Sequence, residues 1–194
     1  MSNTPLAVIK DHLFNISHKH SRSIDILEYG SGVSTVWFGK TFPEAKIISI
    51  EGNEEWLERV AGWLKREGVN NVDLRFIKQT SNWRDPDEIV NPDYLKLPEG
   101  EFDLIINDGC IREKVAETLL ASLDKVLKID GLYLRHDYHN LIKGDWVGIG
   151  LAGNQKRLTY EEFVLTHPNY SVITLNGNGT WGLLDEFGGL WRKA

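Results

Sequence analysis

Tyr170-Ser171-Val172-Ile173-Thr174-Leu175-Asn176-Gly177-Asn178-Gly179-Thr180-Trp181-Gly182-Leu183-Leu184-Asp185-Glu186 is the stretch that decides the fold. Tyr170 to Leu175 and Thr180 to Glu186 read as two strands joined by Asn176-Gly177-Asn178-Gly179. Four residues cannot carry a parallel crossover, which takes about a dozen or more. The two strands must therefore pair as an antiparallel hairpin, and Asn-Gly chemistry suits its turn.

Upstream of the hairpin the pattern is different. Ile24 to Tyr29, Lys46 to Glu51, Val72 to Lys78, Phe102 to Asn107 and Gly131 to His136 read as buried strands. Between them lie amphipathic stretches that read as helices over Thr35 to Phe42, Asn53 to Glu67 and Arg112 to Lys128. Asn53 is placed to cap the second of these and Gly68 to end it, with Trp56, Leu57, Val60, Trp63 and Leu64 on its apolar stripe. Alternating strands and helices imply a parallel sheet covered on both faces. The expected architecture is α/β, with a mostly parallel seven-stranded sheet and a reversed strand inserted by the hairpin.

Before this core, Pro5 to Phe14 reads as a short helix with Leu6, Ile9 and Leu13 on one side. His18-Lys19-His20-Ser21-Arg22 then reads as a solvated loop. One domain is expected over 1–194: a helix and loop (1–23), the core (24–186) and a tail (187–194). The connection from Ser81 to Glu101 carries Pro86, Pro92 and Pro98, and a loop this long in a compact domain is often functional.

Composition narrows the classes of function. The net charge of −6 disfavours nonspecific binding to a nucleic-acid backbone. A single cysteine, Cys110, forms no intramolecular disulfide and fits a reducing compartment. No secretory signal or membrane-length apolar run is read, so the expected location is cytoplasmic.

Two segments look able to bind a nucleotide-like ligand. Leu27-Glu28-Tyr29-Gly30-Ser31-Gly32-Val33-Ser34-Thr35 lies between the first strand and its helix. Glycines there let the backbone approach a ligand, and the helix N-terminus offers N–H groups to a carboxylate. Glu51 ends the second strand, where a carboxylate can accept hydrogen bonds from a ribose diol. Gly148-Ile149-Gly150-Leu151-Ala152-Gly153 also matches G-x-G-x-x-G. It lacks the strand–helix context and the following acid that give that pattern meaning, and reads as a flexible segment.

The Glu-Tyr-Gly-Ser-Gly loop followed by Ser34-Thr35-Val36-Trp37-Phe38, with Ser49-Ile50-Glu51-Gly52-Asn53-Glu54-Glu55-Trp56, resembles a bacterial and viral subgroup of class I S-adenosylmethionine-dependent methyltransferases. The resemblance covers roughly residues 24–186. It implies a Rossmann-like methyltransferase fold with S-adenosyl-L-methionine as cofactor. Glu28, Gly30, Ser31, Gly32, Ser34, Thr35, Glu51 and Gly52 are then cofactor contacts, with Thr80, Ser81 and Trp83 near the adenine and Asp108 at the crevice. The family often carries an acid beside the adenine, and Gln79-Thr80-Ser81-Asn82-Trp83 has none. Trp56 reads as core.

Asn107-Asp108-Gly109-Cys110 and Leu134-Arg135-His136-Asp137-Tyr138-His139-Asn140 end the fourth and fifth strands, so both should flank one crevice. One reading is acid–base, with Asp108, His136, Asp137 and His139 as the catalytic candidates. A second places a divalent cation on Asp108, Asp137 and Asn140, which resembles metal-dependent catechol O-methyltransferases. Those carry Asp-Asn where Tyr138 follows Asp137 here, so the metal is not favoured. A third is that these residues only satisfy backbone at the strand ends. Cys110 reads as a small packed residue. The Asn/Asp-Pro-Pro-Tyr motif of nucleobase and glutamine N-methyltransferases is absent. The expected reaction is O-methylation of a small-molecule or sugar-type acceptor. A homodimer remains open, as do a noncatalytic cofactor-binding module and an aminopropyltransferase-like enzyme.

Overall fold

The computed structural model describes residues 5–79, 91–109, 112–136, 160–178 and 184–193. Its elements run α1 (Pro5–His20), β1 (Asp25–Tyr29), α2 (Val33–Thr41), β2 (Lys46–Glu51), α3 (Glu54–Glu67), β3 (Val72–Phe76), β4 (Phe102–Asn107), α4 (Arg112–Leu120), α5 (Leu123–Val126), β5 (Leu127–His136), α6 (Tyr160–Thr166), β6 (Tyr170–Asn178) and β7 (Leu184–Arg192). They build one seven-stranded sheet in the order β3-β2-β1-β4-β5-β7-β6. β1 to β5 are parallel, and β7 runs antiparallel to both β5 and β6. The expected Rossmann-like architecture with one inserted reversed strand is therefore present.

The hairpin exists, but at a different register. Tyr170 faces Arg192 and Asn178 faces Leu184, so Asn176, Gly177 and Asn178 belong to β6 rather than to the turn. The segment read as a tail supplies most of β7. Leu190 faces Tyr133 of β5 and Val172 of β6, and is fully buried. Leu190, buried between β5 and β6, anchors this register. Gly189 lies so close to β5 that an added Cβ would overlap the Tyr133 carbonyl oxygen.

Three other boundaries move. α1 continues to His20 instead of stopping at Phe14, burying Ile9, Leu13 and Ile16. The segment His18 to Arg22 is not simply a solvated loop. Lys19 Nζ and His20 Nε2 lie 2.6 and 3.0 Å from Asp130 Oδ2, and Arg22 Nη2 donates to Asp103 Oδ1 at 2.6 Å. The helix expected over Arg112 to Lys128 breaks after Leu120, and β5 starts at Leu127 rather than Gly131. Between Phe102↔Leu127 and Leu104↔Leu132 the pairing shifts, with Asp130 at φ 66°. This irregularity carries Lys128 to Asp25 and Asp103, and Asp130 to α1. Ion pairing thus ties the end of α1 to β5, while the apolar period of α1 runs on to Ile16.

The core has two parts, one on each face of the sheet. Ile9, Leu13, Phe38, Ile47, Leu104 and Leu132 pack on the face covered by α1 and α2. Leu27, Ile105, Leu119, Leu123, Tyr133 and Tyr160 pack on the face covered by α4, α5 and α6. Each fully buried Leu or Ile contributes about 1.5–3 kcal/mol. Among the described residues, no helix is long and apolar enough to cross a membrane.

Candidate active site

The parallel register brings the carboxyl ends of the strands level. Tyr29 pairs with Ile50 on one side and Asn107 on the other, and Asn107 pairs with Arg135. The turns that follow therefore meet at one edge of the sheet, where ligands of open α/β sheets bind.

The two glycines of the first turn have different reasons to be glycine. Gly30 has φ +90°, and an added Cβ would stand 2.6 Å from the Asp108 carbonyl oxygen and 2.7 Å from Gly109 Cα. It is required by strain and by contact with the turn after β4. Gly32, the N-cap of α2, has extended φ 179°, and a Cβ there would meet no atom of the described residues within 4 Å. No described residue demands glycine at that position. The open space lies over the first turn of α2, whose leading N–H groups have no intrahelical partners.

Glu28 is fully buried beneath this turn. It accepts from Ser34 Oγ at 2.6 Å, Thr35 Oγ1 at 2.5 Å and Ser49 Oγ at 2.7 Å. Thr35 Oγ1 in turn accepts from the Gly32 N–H at 2.8 Å, so Glu28 holds the glycine turn through a hydroxyl relay. Burial pushes the Glu28 carboxyl up to about 7, against the opposing pull of the three hydroxyls. Ser34 and Thr35, expected to touch the cofactor, are turned to Glu28 in this arrangement. Ser49 was not singled out from sequence; its place opposite Glu28 in the β1–β2 register is what brings it in.

Glu51 is also buried, but its donors are mostly backbone. Oε1 accepts from the N–H groups of Gly52 and Asn53, each at 2.8 Å. Oε2 accepts from the Ser31 N–H at 3.1 Å and from Ser31 Oγ at 3.0 Å. Trp56 corrects an expectation: it is not core but 37% exposed. Its indole Nε1 donates to the Ser31 carbonyl at 2.7 Å, and its ring meets Trp63 edge-on. The apolar stripe of α3 suggested burial, yet Trp56 lies in the first turn of the helix, within reach of the glycine turn.

On the other side of the crevice, His136 Nδ1 lies 3.0 Å from Asp108 Oδ1. The side chains are 22% and 37% exposed. A carboxylate only accepts, so this contact assigns the proton to Nδ1 and makes Nε2 the basic nitrogen. The Asp108 N–H donates to the Tyr29 carbonyl at 2.8 Å, tying this turn to the glycine turn. Tyr94, missed in the sequence because its surroundings have no period, is fully buried under the same turn. An added Cβ on Gly109 would stand 2.5 Å from its hydroxyl. Gln79 closes the third corner: its N–H donates to the Gly52 carbonyl at 3.0 Å, and its Oε1 accepts from the Asn91 N–H at 2.8 Å.

The structure thus brings together Glu28, Gly30, Ser31, Gly32, Ser34, Thr35, Glu51, Gly52, Asp108 and His136. Thr80, Ser81, Trp83, Cys110, Asp137, His139, Asn140 and the Gly148–Gly153 segment lie outside the described residues. Of the three cation-ligand candidates only Asp108 is described. Among the described residues, no group of three His, Cys, Asp or Glu side chains gathers as a metal set.

A family profile described as a methyltransferase domain matches residues 27–138. The match takes in the glycine turn, Glu51 and the Asp108–His136 pair. The chain belongs to that methyltransferase family. No curated protein is significantly similar to it. Its fold is similar to that of an O-methyltransferase from Bacillus cereus in complex with S-adenosylhomocysteine, at 18% identity and TM-score 0.61, covering 95% of this chain and 80% of that one. An O-methyltransferase of tomaymycin synthesis from Streptomyces achromogenes, in complex with S-adenosylmethionine, gives 15% identity and TM-score 0.59, covering 97% and 81%. An rRNA methylase from Streptococcus thermophilus gives 14% identity and TM-score 0.56, covering 100% and 98%. These likenesses establish the fold and span different acceptors.

Proposed function

We propose that this protein transfers a methyl group from S-adenosyl-L-methionine to an oxygen of a small-molecule or sugar-type acceptor. The observation that carries the reading is the Asp108–His136 pair, fixed across the crevice from a glycine turn whose Gly32 has open space above it among the described residues. That space is what a ligand approaching the backbone requires, and it is the reason the chain's residues fit an adenosyl cofactor. The α2 N-terminus would hold the carboxylate of the amino-acid part, and Glu51 the ribose. When bound, the cofactor supplies a methyl group already activated by a positive sulfur.

The protein's own work is alignment and proton transfer. Holding donor and acceptor in line contributes up to about 7–11 kcal/mol. His136 Nε2 takes the proton from the acceptor hydroxyl, while Asp108 fixes the tautomer and stabilises the imidazolium that forms. Asp137 and His139 are the further acid–base candidates at this strand end, and Asp137 with Asn140 the remaining cation-ligand candidates. The site is proposed to work in the cytoplasm on a small acceptor rather than on nucleic acid, within a single domain.

Calorimetric titration with S-adenosylmethionine, S-adenosylhomocysteine and NAD, with and without magnesium, tests the cofactor. The adenosyl compounds are expected to bind and NAD is not; binding of NAD alone overturns the reading. In an acceptor screen, His136→Gln is expected to keep S-adenosylhomocysteine affinity within about twofold while turnover falls roughly 10²- to 10⁴-fold. Unchanged turnover removes His136 as the base.

A further inference from the structure

A carboxylate offers about four lone-pair sites, and all four on Glu51 are taken by this chain. Three donors are backbone N–H groups, of Gly52, Asn53 and Ser31. The fourth is a side chain, the Ser31 hydroxyl at 3.0 Å. The backbone donors cannot leave cheaply. Gly52 and Asn53 follow Glu51 in the chain, and Asn53 also caps α3 by accepting from the Trp56 N–H. The Ser31 backbone is held from both sides, by the Trp56 indole on its carbonyl and by the Gly30 N–H donating to the Ile50 carbonyl at 2.8 Å. Only the Ser31 hydroxyl can be released by a single side-chain rotation.

We propose that Ser31 is a built-in competitor for the ribose diol, its hydroxyl occupying the Glu51 oxygen that an adenosyl ligand must use, so that the Ser31 side chain sets ligand affinity. This deepens the cofactor reading and rests on it. The sequence position alone suggests that Ser31 adds to binding. The geometry gives the opposite sign, because the same hydroxyl that would greet a ligand already satisfies the acceptor. A ribose hydroxyl replaces the Ser31 hydroxyl one for one on Oε2, while the Trp56 contact keeps the backbone of the turn in place.

The test is calorimetric affinity, not turnover. Ser31→Ala is expected to bind S-adenosylhomocysteine roughly threefold to tenfold more tightly than the native protein. Its ligand-free thermal midpoint is expected to fall, since one bond to a buried carboxylate is lost. The gain in affinity should vanish for the 2′,3′-dideoxy counterpart, which has no diol. Ser31→Gly removes the same hydroxyl and gives a second reading if the alanine variant is recovered unfolded. Equal or weaker binding by the variants overturns the proposal, as does an equal gain for the dideoxy ligand, which would come from a looser turn. If folded native protein and variants all fail to bind S-adenosylhomocysteine, the cofactor reading itself falls.

Discussion

Both ends of the β-sheet bury carboxylates, and they satisfy them in opposite ways. At the amino ends of the strands, Asp103 accepts from Arg22, from Lys128 at 3.0 Å and from the Asp25 N–H at 2.9 Å. Asp130 pairs with Lys19 and His20. Cations neutralise these groups. At the carboxyl ends, Glu28 has three hydroxyls and Glu51 has three N–H groups and one hydroxyl. Neutral dipoles satisfy these. The difference sets the two ends of one sheet apart chemically. An ion pair locks its members, whereas a hydroxyl can be exchanged for a ligand hydroxyl at small cost.

The comparison can be broken by mutation. Asp103→Ala leaves Arg22 and Lys128 without their buried partner and should destabilise by about 3–5 kcal/mol. Chemical denaturation measures this, and S-adenosylhomocysteine affinity of the folded fraction should stay unchanged. An affinity loss as large as the stability loss would mean the two ends are not separate. Gly30→Ala is next: positive φ and a backbone clash with Asp108 should together cost roughly 2–4 kcal/mol. Gly32→Val, by contrast, should leave the denaturation midpoint nearly unchanged and abolish adenosyl binding. A large loss of stability in Gly32→Val would show a packing role that the open space over it contradicts.

Glu28 sharpens the comparison through pH. Its folded value of about 7 lies above the ordinary 4.5. The folded state therefore keeps a proton that the unfolded chain gives up first. The associated stability is fully present below about pH 4.5 and is lost as pH rises to about 7, an effect of order 3 kcal/mol. Glu28→Gln should flatten that part of a stability–pH profile, and an unaltered profile would assign the slope to another group. Asp130 runs the other way. The Lys19 hydrogen bond holds its carboxyl below the ordinary value, so its contribution is present above about pH 4 and lost as pH falls. Lys19 is 59% exposed, so Lys19→Met should cost no more than about 1 kcal/mol. A larger loss would make this pair as fixed as the Asp103 cluster.

The same contrast explains what was legible in the sequence. β2 and β4 match their apolar runs, Lys46 to Glu51 and Phe102 to Asn107, residue for residue. Asn53 and Gly68 cap α3 as their chemistry requires. Glu28, Gly30 and Glu51 stand out in sequence because the glycine turn has a local spacing, and the structure gathers them around that turn. What escaped was long-range. The Asp103 cluster joins Arg22, Asp25 and Lys128, and no period links them. Tyr94 is buried from a stretch with no repeating pattern. The hairpin is legible from a connection too short for a parallel crossover, whereas its register is set by Leu190 and Gly189 fitting against β5.

That register has a consequence for the order in which the protein is made. β6 precedes β7 in the chain, yet β7 stands between β5 and β6 in the sheet. While the ribosome has delivered residues only as far as Asn178, β5 has a bare edge and β6 has no neighbour at all among the described strands. The bare edge of β5 and both edges of β6 are then open to other chains. The parallel half from β3 to β5 can form during synthesis, but closure waits for Leu184 to Arg192. A nascent chain stalled between these points would be the form most in need of a chaperone.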